Sequence, residues 1–439
     1  MIIRSARLIL LTDIAITSSS IVTSLIGARA LGPAGRGDLL LITLWPLVIA
    51  LLAELGLPNA YRYWMAKEPE RASRLFSNAV IYALVIGGIS IALGELLVPH
   101  VVAQRNSDVM LLIRIYMINI PAVVFLNLMR GLLEGTRRFG WAGAARFIFF
   151  AVQAGGFASL WFIGRLTVAT AAFTMIASQT TSMLLALILV RLQLKPSWQP
   201  NWREFKTSMH YGFRDYAGGV ADYATLRLDQ MMLGGMASST AMGLYVVAVR
   251  LSELTTFVAE ALADALMPEV ASSRQSEQAE ALLARTLRLT TYANIIVLVP
   301  LWLVAPLMLR LLFGQSFVPA VGAFRWLLVA AVVWSASAIV MRGLQGFGHP
   351  GLTTIARFLS AVVTAGALLV FLPRMGITGA AVASLIGYSV MFGVGLFALI
   401  HRRQLKFWPY LRPQRRDIPL ARLKALASLS LLSARSEEG

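Results

Sequence analysis

The sequence predicts an all-α polytopic membrane protein with about twelve transmembrane helices in two pseudo-symmetric six-helix bundles. Three observations predict this fold class. Of the 439 residues, 58% are hydrophobic and 14% are charged, against about 25% charged in soluble domains, and the mean hydropathy is +0.71. Apolar runs long enough to cross a bilayer recur along the whole chain. One sequence pattern also occurs twice, half a chain apart.

The repeated pattern begins with an arginine followed by a glycine. Its first copy is Arg130-Gly131-Leu132-Leu133-Glu134-Gly135, and its second copy is Arg342-Gly343-Leu344-Gln345-Gly346. An Ala-Arg-Phe triplet follows each copy, at residues 145–147 and 356–358, so the offset is 356 − 145 = 211 residues. Such an offset indicates a duplicated unit. In a membrane protein, a duplicated unit predicts two bundles with a shared site between them.

The apolar runs fall into two sets of six, separated by a polar stretch. The predicted spans are Leu8–Ala30, Leu39–Tyr63, Phe76–Val98, Val109–Leu133, Trp141–Ile163, Val168–Val190, Tyr211–Gly235, Gly243–Met267, Leu287–Leu312, Val318–Leu344, Leu352–Leu372 and Gly379–Ile400. We therefore predict a first six-helix bundle at 1–192, a cytoplasmic linker at 193–205, a second bundle at 206–403 and a basic cytoplasmic tail at 404–439. The tail is expected to be either disordered or a short helix on the membrane surface.

The positions of lysine and arginine predict the orientation in the membrane. Basic residues are frequent in the loops on the side of the termini, and the opposite loops carry only four: Arg36, Arg105, Arg165 and Arg374. Cytoplasmic loops are enriched in basic residues. We therefore expect a multi-pass protein of the cell (inner) membrane with both termini in the cytoplasm. Because the basic residues flank apolar runs, the formal net charge of +18 does not predict nucleic-acid binding.

The sequence contains no catalytic or metal-binding pattern. There is no cysteine, and the four histidines are scattered without ligand spacing. The glycine-rich stretch Gly32–Gly37 follows no strand, so it predicts a tight turn between two spans and not a nucleotide-binding loop. Walker motifs, serine nucleophile elbows and catalytic carboxylate pairs are missing. We therefore predict a protein that is not an enzyme and that needs no metal or other cofactor.

Acidic side chains inside the predicted spans are candidate site residues, because a charge in the bilayer usually faces a partner or a water-filled cavity. Three aspartates of the seventh span recur every seven residues, which places them on one helical stripe. The candidates for ion coupling or charge pairing are Asp13, Glu54, Asp215, Asp222, Asp229, Glu253, Glu260 and Asp264. The alternative is that such residues form salt bridges between helices, for example Asp229 with Arg250, and bind no ligand.

Four arginines are candidates for binding substrate in a central cavity: Arg29, Arg62, Arg227 and Arg250. A guanidinium group is always charged and can bind a phosphate through two parallel hydrogen bonds. On ideal helical geometry Arg227 points away from the aspartate stripe, so its inclusion requires a distorted helix. Arginines at this depth favour an anionic cargo over cationic drugs, which carboxylates and aromatic side chains bind.

Several motifs resemble those of polysaccharide flippases. Ala30-Leu31-Gly32-Pro33-Ala34-Gly35-Arg36-Gly37 resembles the LGPxGxG turn of that family, and so does the stretch Arg227-Leu228-Asp229-Gln230-Met231-Met232-Leu233-Gly234 with the following Gly243-Leu244-Tyr245. The resemblance covers nearly the whole chain. By this resemblance the chain is identified as a member of the polysaccharide transporter (O-antigen flippase type) branch of the multidrug/oligosaccharidyl-lipid/polysaccharide exporter superfamily.

The resemblance implies two six-helix bundles arranged in a V, with alternating access to a central cavity. It implies a flippase that moves undecaprenyl-pyrophosphate-linked oligosaccharide from the cytoplasmic to the periplasmic leaflet for O-antigen, capsule or exopolysaccharide synthesis. The implied partners are this glycolipid, membrane lipids, a coupling proton or sodium ion, and a polysaccharide polymerase with other assembly proteins. Two alternatives stay open: a cation-coupled exporter of drugs or metabolites on the same fold, and a membrane scaffold that recruits partners through its basic tail.

Overall fold

A computed structural model describes residues 2–102, 106–273 and 276–403. The predicted tail and the side chains of Asp13, Asp215 and Asp222 lie outside the described residues. The described chain is helical, without strands, and has two short 3-10 turns at Pro69–Arg71 and Gln315–Ala320. Its helices are α1 Ile2–Glu54, α2 Leu57–Lys67, α3 Ala72–Val101, α4 Ser107–Tyr116, α5 Asn119–Gly135, α6 Phe139–Phe162, α7 Val168–Leu194, α8 Trp202–Met236, α9 Ser239–Ser272, α10 Ser276–Phe313, α11 Val321–Gly346 and α12 Pro350–Arg403.

Helix α12 contains two of the predicted spans, and helix α1 contains the first predicted span and most of the second. The backbone leaves helical geometry at Gly32 in α1 (φ 65°) and at Gly376 in α12 (φ 56°), where glycine adopts a positive φ without a Cβ clash. The Ser360 hydroxyl donates a hydrogen bond to the Gly387 carbonyl at 2.8 Å. A straight helix would separate these residues by about 40 Å, so α12 folds back on itself at Gly376.

The predicted spans differ from the helices in three places. The second span breaks at Leu55 and Gly56, both with positive φ, and the fourth is interrupted between α4 and α5. The polar linker is shorter than predicted, because α7 continues to Leu194 and α8 begins at Trp202. By length and composition, nine helices among the described residues are able to cross a membrane. Two of these nine helices, α1 and α12, change direction at a glycine and count as two spans each, so the nine helices supply eleven spans. The charged helix α8 corresponds to the twelfth predicted span.

The packing of the helices shows the duplication. Gly135 ends α5, and a Cβ there would lie 2.6 Å from the Arg62 carbonyl on α2. Gly346 ends α11, and a Cβ there would lie 2.9 Å from the Met267 carbonyl on α9. The two glycines are equivalent in the repeat, since 346 − 135 = 211. Each half therefore packs its fourth span against its second span through the same glycine.

The two halves contact each other through two pairs of glycines. A Cβ added to Gly37 of α1 would collide with the backbone of α9, and a Cβ added to Gly243 of α9 would collide with the backbone of α1. In the same way, a Cβ added to Gly56 or to Gly212 of α8 would collide with the backbone of the other glycine. Gly212 precedes the end of α8 at Met236 by 24 residues, about 36 Å of helix. Because α9 begins three residues after Met236, at Ser239, the two glycine contacts lie at opposite ends of the interface.

Candidate substrate cavity

A cavity of about 510 Å³ lies between the two halves. The first half lines it with α1 and with α4 to α7, and the second half with α8 and α9. Tyr223, Arg227 and Gln230 are its lining residues on α8, and they come after Gly212 in the helix. The cavity therefore lies along the interface between the Gly56–Gly212 contact and the Gly37–Gly243 contact.

The charged lining of this central cavity is cationic. Three arginines come from the first half and two from the second: Arg36, Arg130, Arg146, Arg227 and Arg250. Among the side chains that the structure describes, no carboxylate is part of the lining. Amide and hydroxyl groups supply the rest of the polar surface, and three phenylalanines of α6 supply an aromatic wall. Such a surface suits an anion that also carries hydroxyl groups.

Many buried polar atoms of the lining have no hydrogen-bond partner among the residues that the structure describes. Buried polar atoms are nearly always hydrogen-bonded, so each exception indicates a possible ligand contact. Within the described part of the chain, seven lining residues have a buried nitrogen or oxygen atom without a hydrogen-bond partner: Ser24, Arg36, Asn119, Arg130, Gln179, Tyr223 and Gln230. They surround the cavity from both halves, so the cavity is a candidate site for a polar ligand.

Glu253 contacts two of the cavity arginines from outside the cavity. Its carboxylate oxygens lie 2.8 Å from Nη1 of Arg227 and 3.3 Å from Nη1 of Arg250. Glu253 lines a different cavity, of about 260 Å³, together with Asp229 and Glu260. A guanidinium group has five N–H donors, so both arginines keep donors that Glu253 does not use.

The other two predicted arginines do not line the central cavity. Arg29 donates hydrogen bonds to the carbonyls of Leu311 at 2.5 Å and Leu312 at 2.8 Å, which ties α1 to α10. Arg62 forms a 2.5 Å salt bridge with Glu134 and lines a separate cavity of about 230 Å³. The structure therefore does not bring these two side chains into the cavity that Arg227 and Arg250 line.

The acidic candidates that the structure describes all have partners. Asp229 accepts hydrogen bonds from the Tyr245 hydroxyl at 2.5 Å and the Ser384 hydroxyl at 3.2 Å. The described part of the structure has no salt bridge between Asp229 and Arg250, the pair considered from the sequence, and Arg250 pairs with Glu253 instead. Among the other acidic candidates, Glu54 contacts Asn127 at 2.5 Å, Glu260 contacts the Trp334 indole at 2.9 Å, and Asp264 contacts Arg342 at 2.8 Å.

Three arginines of the central cavity were not predicted from the sequence. Arg36 was expected in an outer loop, but α1 resumes directly after Gly32 and places it inside the helix. Arg130 and Arg146 belong to the repeated pattern, where their equivalents are Arg342 and Arg357. The repeat is therefore the feature of the sequence that could have identified Arg130 and Arg146 as candidates. It marks two equivalent positions, and does not say which copy faces the cavity.

Comparison with known proteins adds a family and a relative. A model of the polysaccharide biosynthesis protein family matches residues 26–322. The probable low-salt glycan biosynthesis flippase Agl15 of Haloferax volcanii is 21% identical over 221 residues. The match covers 50% of this chain and 46% of that protein, so it spans less than half of the relative's length.

Solved structures with the same fold are transporters. An inward-facing multidrug resistance transporter of the MATE family has a TM-score of 0.74 at 17% identity, over 88% of this chain and 94% of its own. The lipid II flippase MurJ, in an inward closed conformation, has a TM-score of 0.75 at 13% identity, over 89% and 87%. A transporter from Pyrococcus furiosus has a TM-score of 0.62 at 17% identity, over 92% and 95%. These similarities confirm the predicted fold class.

Proposed function

Because the chain belongs to the polysaccharide biosynthesis protein family, we propose that it is a flippase for a lipid-linked oligosaccharide. The cargo is an oligosaccharide joined through a diphosphate to undecaprenol, and it moves from the cytoplasmic to the periplasmic leaflet of the inner membrane. Both termini lie in the cytoplasm. The observation that carries this proposal is the lining of the central cavity, with five arginines and no carboxylate among its described side chains.

The arginines account for the recognition of the diphosphate. A guanidinium forms charge-assisted hydrogen bonds with phosphate oxygens, often two in parallel. In a cavity shielded from water such contacts are stronger than at a surface. Arg36, Arg130 and Arg146 belong to the first half, whereas Arg227 and Arg250 belong to the second. A diphosphate between them joins the two halves, so binding of the cargo acts directly on their relative position.

The polar and aromatic lining accounts for the oligosaccharide. Sugars present hydroxyl groups and apolar ring faces, which suit amide and hydroxyl partners and aromatic walls. Gln179, Tyr223 and Gln230 offer buried polar atoms that have no hydrogen-bond partner in the described part of the chain. Phe149, Phe150 and Phe157 offer ring surfaces. The volume of about 510 Å³ is within the usual range for ligand sites. The polyprenyl tail stays in the bilayer, where its hydrocarbon needs no polar contact.

Alternating access is the transport mechanism in this proposal. The Gly37–Gly243 and Gly56–Gly212 contacts close opposite ends of the interface, so separation at one end exposes the cavity to one side only. Duplicated transporters use such rocking of one bundle against the other. Asp229, Glu253 and Glu260 line the cavity inside the second half and are the proposed sites for a coupling proton or sodium ion. A polymerase or another assembly protein would receive the cargo afterwards.

The proposal is tested by lipid analysis of a strain that lacks this protein. We expect a complete lipid-linked oligosaccharide to accumulate in the cytoplasmic leaflet, and its composition would identify the sugar. Normal glycolipids together with an altered sensitivity to small cationic compounds would contradict the proposal and support the cation-coupled exporter.

A second experiment separates transport from scaffolding. In the sequence, the basic tail at 404–439 follows every described residue that lines the three cavities. Deletion of this tail should leave most of the transport intact if the protein is a flippase. A complete loss of function, with the truncated protein still present in the membrane, would support the scaffold instead.

A further inference from the structure

A smaller cavity of about 230 Å³ adjoins the central one. Its polar lining among the described residues consists of Thr12 from α1, Arg62 from α2, Arg130 and Glu134 from α5, and Arg146 from α6. These side chains lie near the ends of α2 and α5 and the start of α6, on the side where the basic loops predict the cytoplasm. Among the side chains that the structure describes, three arginines and one glutamate give this lining a net charge of +2 (3 − 1).

We propose that this smaller cavity is a separate site for the phosphate group of the cargo, which the cargo occupies before it enters the central cavity. The inference rests on the proposed function, and it adds a loading step on the cytoplasmic side. Arg62, Arg130 and Arg146 bind the phosphate at this site. Glu134 competes with the phosphate for the same arginines.

Two arginines connect the loading site to the central cavity. Arg130 and Arg146 are lining residues of both, so a phosphate that moves from one to the other can keep contact with the same guanidinium groups. Arg62 belongs to the smaller cavity alone, and its side chain is 52% exposed. An anion arriving from outside therefore meets Arg62 first, and Arg130 and Arg146 then take it inward.

Glu134 makes the contacts that a phosphate would make at this site. Its two carboxylate oxygens lie 2.5 Å from Nη2 of Arg62 and 3.3 Å from Nη2 of Arg130. This geometry shows that one anionic group reaches both arginines at once. Nε of Arg130 is buried and has no partner among the described residues, so a phosphate gains a donor that Glu134 leaves unused. The glutamate also limits how tightly the site holds its ligand, which favours release into the central cavity.

Single cysteines can report on each cavity separately, because the chain contains no cysteine. Thr12→Cys places a thiol in the loading site, and Ser24→Cys places one in the central cavity. The purified full-length protein is treated with a small alkylating reagent, in the presence of increasing concentrations of farnesyl diphosphate. We expect farnesyl diphosphate to slow alkylation at both positions.

The decisive variant is Arg62→Gln in each cysteine background. Loss of one charge-assisted hydrogen bond should raise the concentration that protects Thr12→Cys about tenfold or more, and should leave the protection of Ser24→Cys unchanged. Arg137→Gln is the matched control, because Arg137 is exposed on the turn between α5 and α6 and lines neither cavity. Glu134→Gln should have the opposite effect at Thr12→Cys, because it removes the competing charge.

The outcomes distinguish the loading site from the proposed function. Protection of Ser24→Cys without protection of Thr12→Cys would overturn the loading site and leave the flippase intact. Protection at neither position would contradict the flippase itself. A parallel titration with inorganic diphosphate identifies the recognised group. If inorganic diphosphate protects Thr12→Cys as well as farnesyl diphosphate does, the site recognises the phosphates alone. If farnesyl diphosphate alone protects Thr12→Cys, the site recognises the lipid headgroup. Weaker protection of Thr12→Cys by farnesyl diphosphate in the Glu134→Gln variant would overturn the proposal that Glu134 competes with the phosphate.

Discussion

The carboxylate of Glu253 lies 2.8 Å from the guanidinium of Arg227, which lines the central cavity, and Glu253 itself lines only the neighbouring cavity of the second half. The same carboxylate reaches Arg250 at 3.3 Å. Glu253 therefore stabilises the largely buried Arg227 and the more exposed Arg250 without adding a negative charge to the lining of the central cavity. The ion pair offsets part of the desolvation free energy of the Arg227 guanidinium, and the lining of the central cavity stays cationic.

Arg227→Gln tests the anion site. Hydrogen bonds to a charged group contribute about 1.5–3 kcal/mol, so we expect the rate of cargo movement in proteoliposomes to fall about 10- to 100-fold. The fold should persist, because Glu253 keeps Arg250 as a partner. Arg374→Gln removes an exposed arginine outside the cavity and should not change the rate. An unchanged rate for Arg227→Gln, at normal melting temperature, would remove this arginine from the site.

Gly243→Ala tests the contact between α1 and α9. The new Cβ would overlap with the Pro33 carbonyl, and overpacking of this kind costs about 1–3 kcal/mol. We expect this end of the interface to open. Spin labels at Arg165→Cys and Met236→Cys, one on each half, should show a longer distance. Gly88→Ala is the control, because a Cβ at Gly88 meets no atom within 4 Å. An unchanged distance would exclude this contact as a gate.

Gly212→Ala tests the contact at the other end. Its Cβ would lie 2.7 Å from the backbone of Gly56, so α2 and α8 should separate by the same physical effect. Labels at Arg137→Cys and His349→Cys should move apart. Gly219→Ala, on the same helix and with open space around its Cβ, should leave the distance unaltered. If Gly212→Ala instead opened the end at Gly243, the assignment of the two contacts to opposite gates would be wrong.

Asp229 offers a test of coupling and of stability. Asp229→Leu would leave the buried hydroxyl of Tyr245 without its 2.5 Å acceptor, and an unsatisfied buried group costs about 1–3 kcal/mol. We expect a lower melting temperature. Asp229→Asn keeps an acceptor oxygen and imitates the protonated acid, so it should retain most of the stability.

The transport assay separates the two roles of Asp229. If this residue carries a coupling proton, transport by Asp229→Asn should no longer respond to a pH gradient across the proteoliposome membrane. A response equal to that of the wild type would show that Asp229 only stabilises the second half. Ser384→Ala is the matched control, because it removes the weaker hydrogen bond, at 3.2 Å, and leaves the carboxylate.

The central cavity was only partly predictable from the sequence. Arg227 and Arg250 were recognised because a charge inside an apolar span is conspicuous in the printed chain. Arg36, Arg130 and Arg146 were not, because they lie near predicted span ends, where arginine usually extends to the membrane surface. Arg29 and Arg62 were expected in the cavity, but they contact carbonyl and carboxylate groups elsewhere. The residue type of Arg29 and Arg62 indicated that each needs a polar partner, but the sequence does not show which groups lie next to them in the folded protein.

The sequence by itself determined the membrane class, the twelve predicted spans and the duplication. These follow from hydropathy and from the offset of 211 residues between equivalent glycines, which are local or periodic properties of the chain. Only the tertiary structure decided that Gly37 meets Gly243, that Glu253 holds Arg227, and that Glu134 lies between Arg62 and Arg130. The physical reason is that the rotation of each helix and its neighbours depend on side-chain packing between residues far apart in the chain.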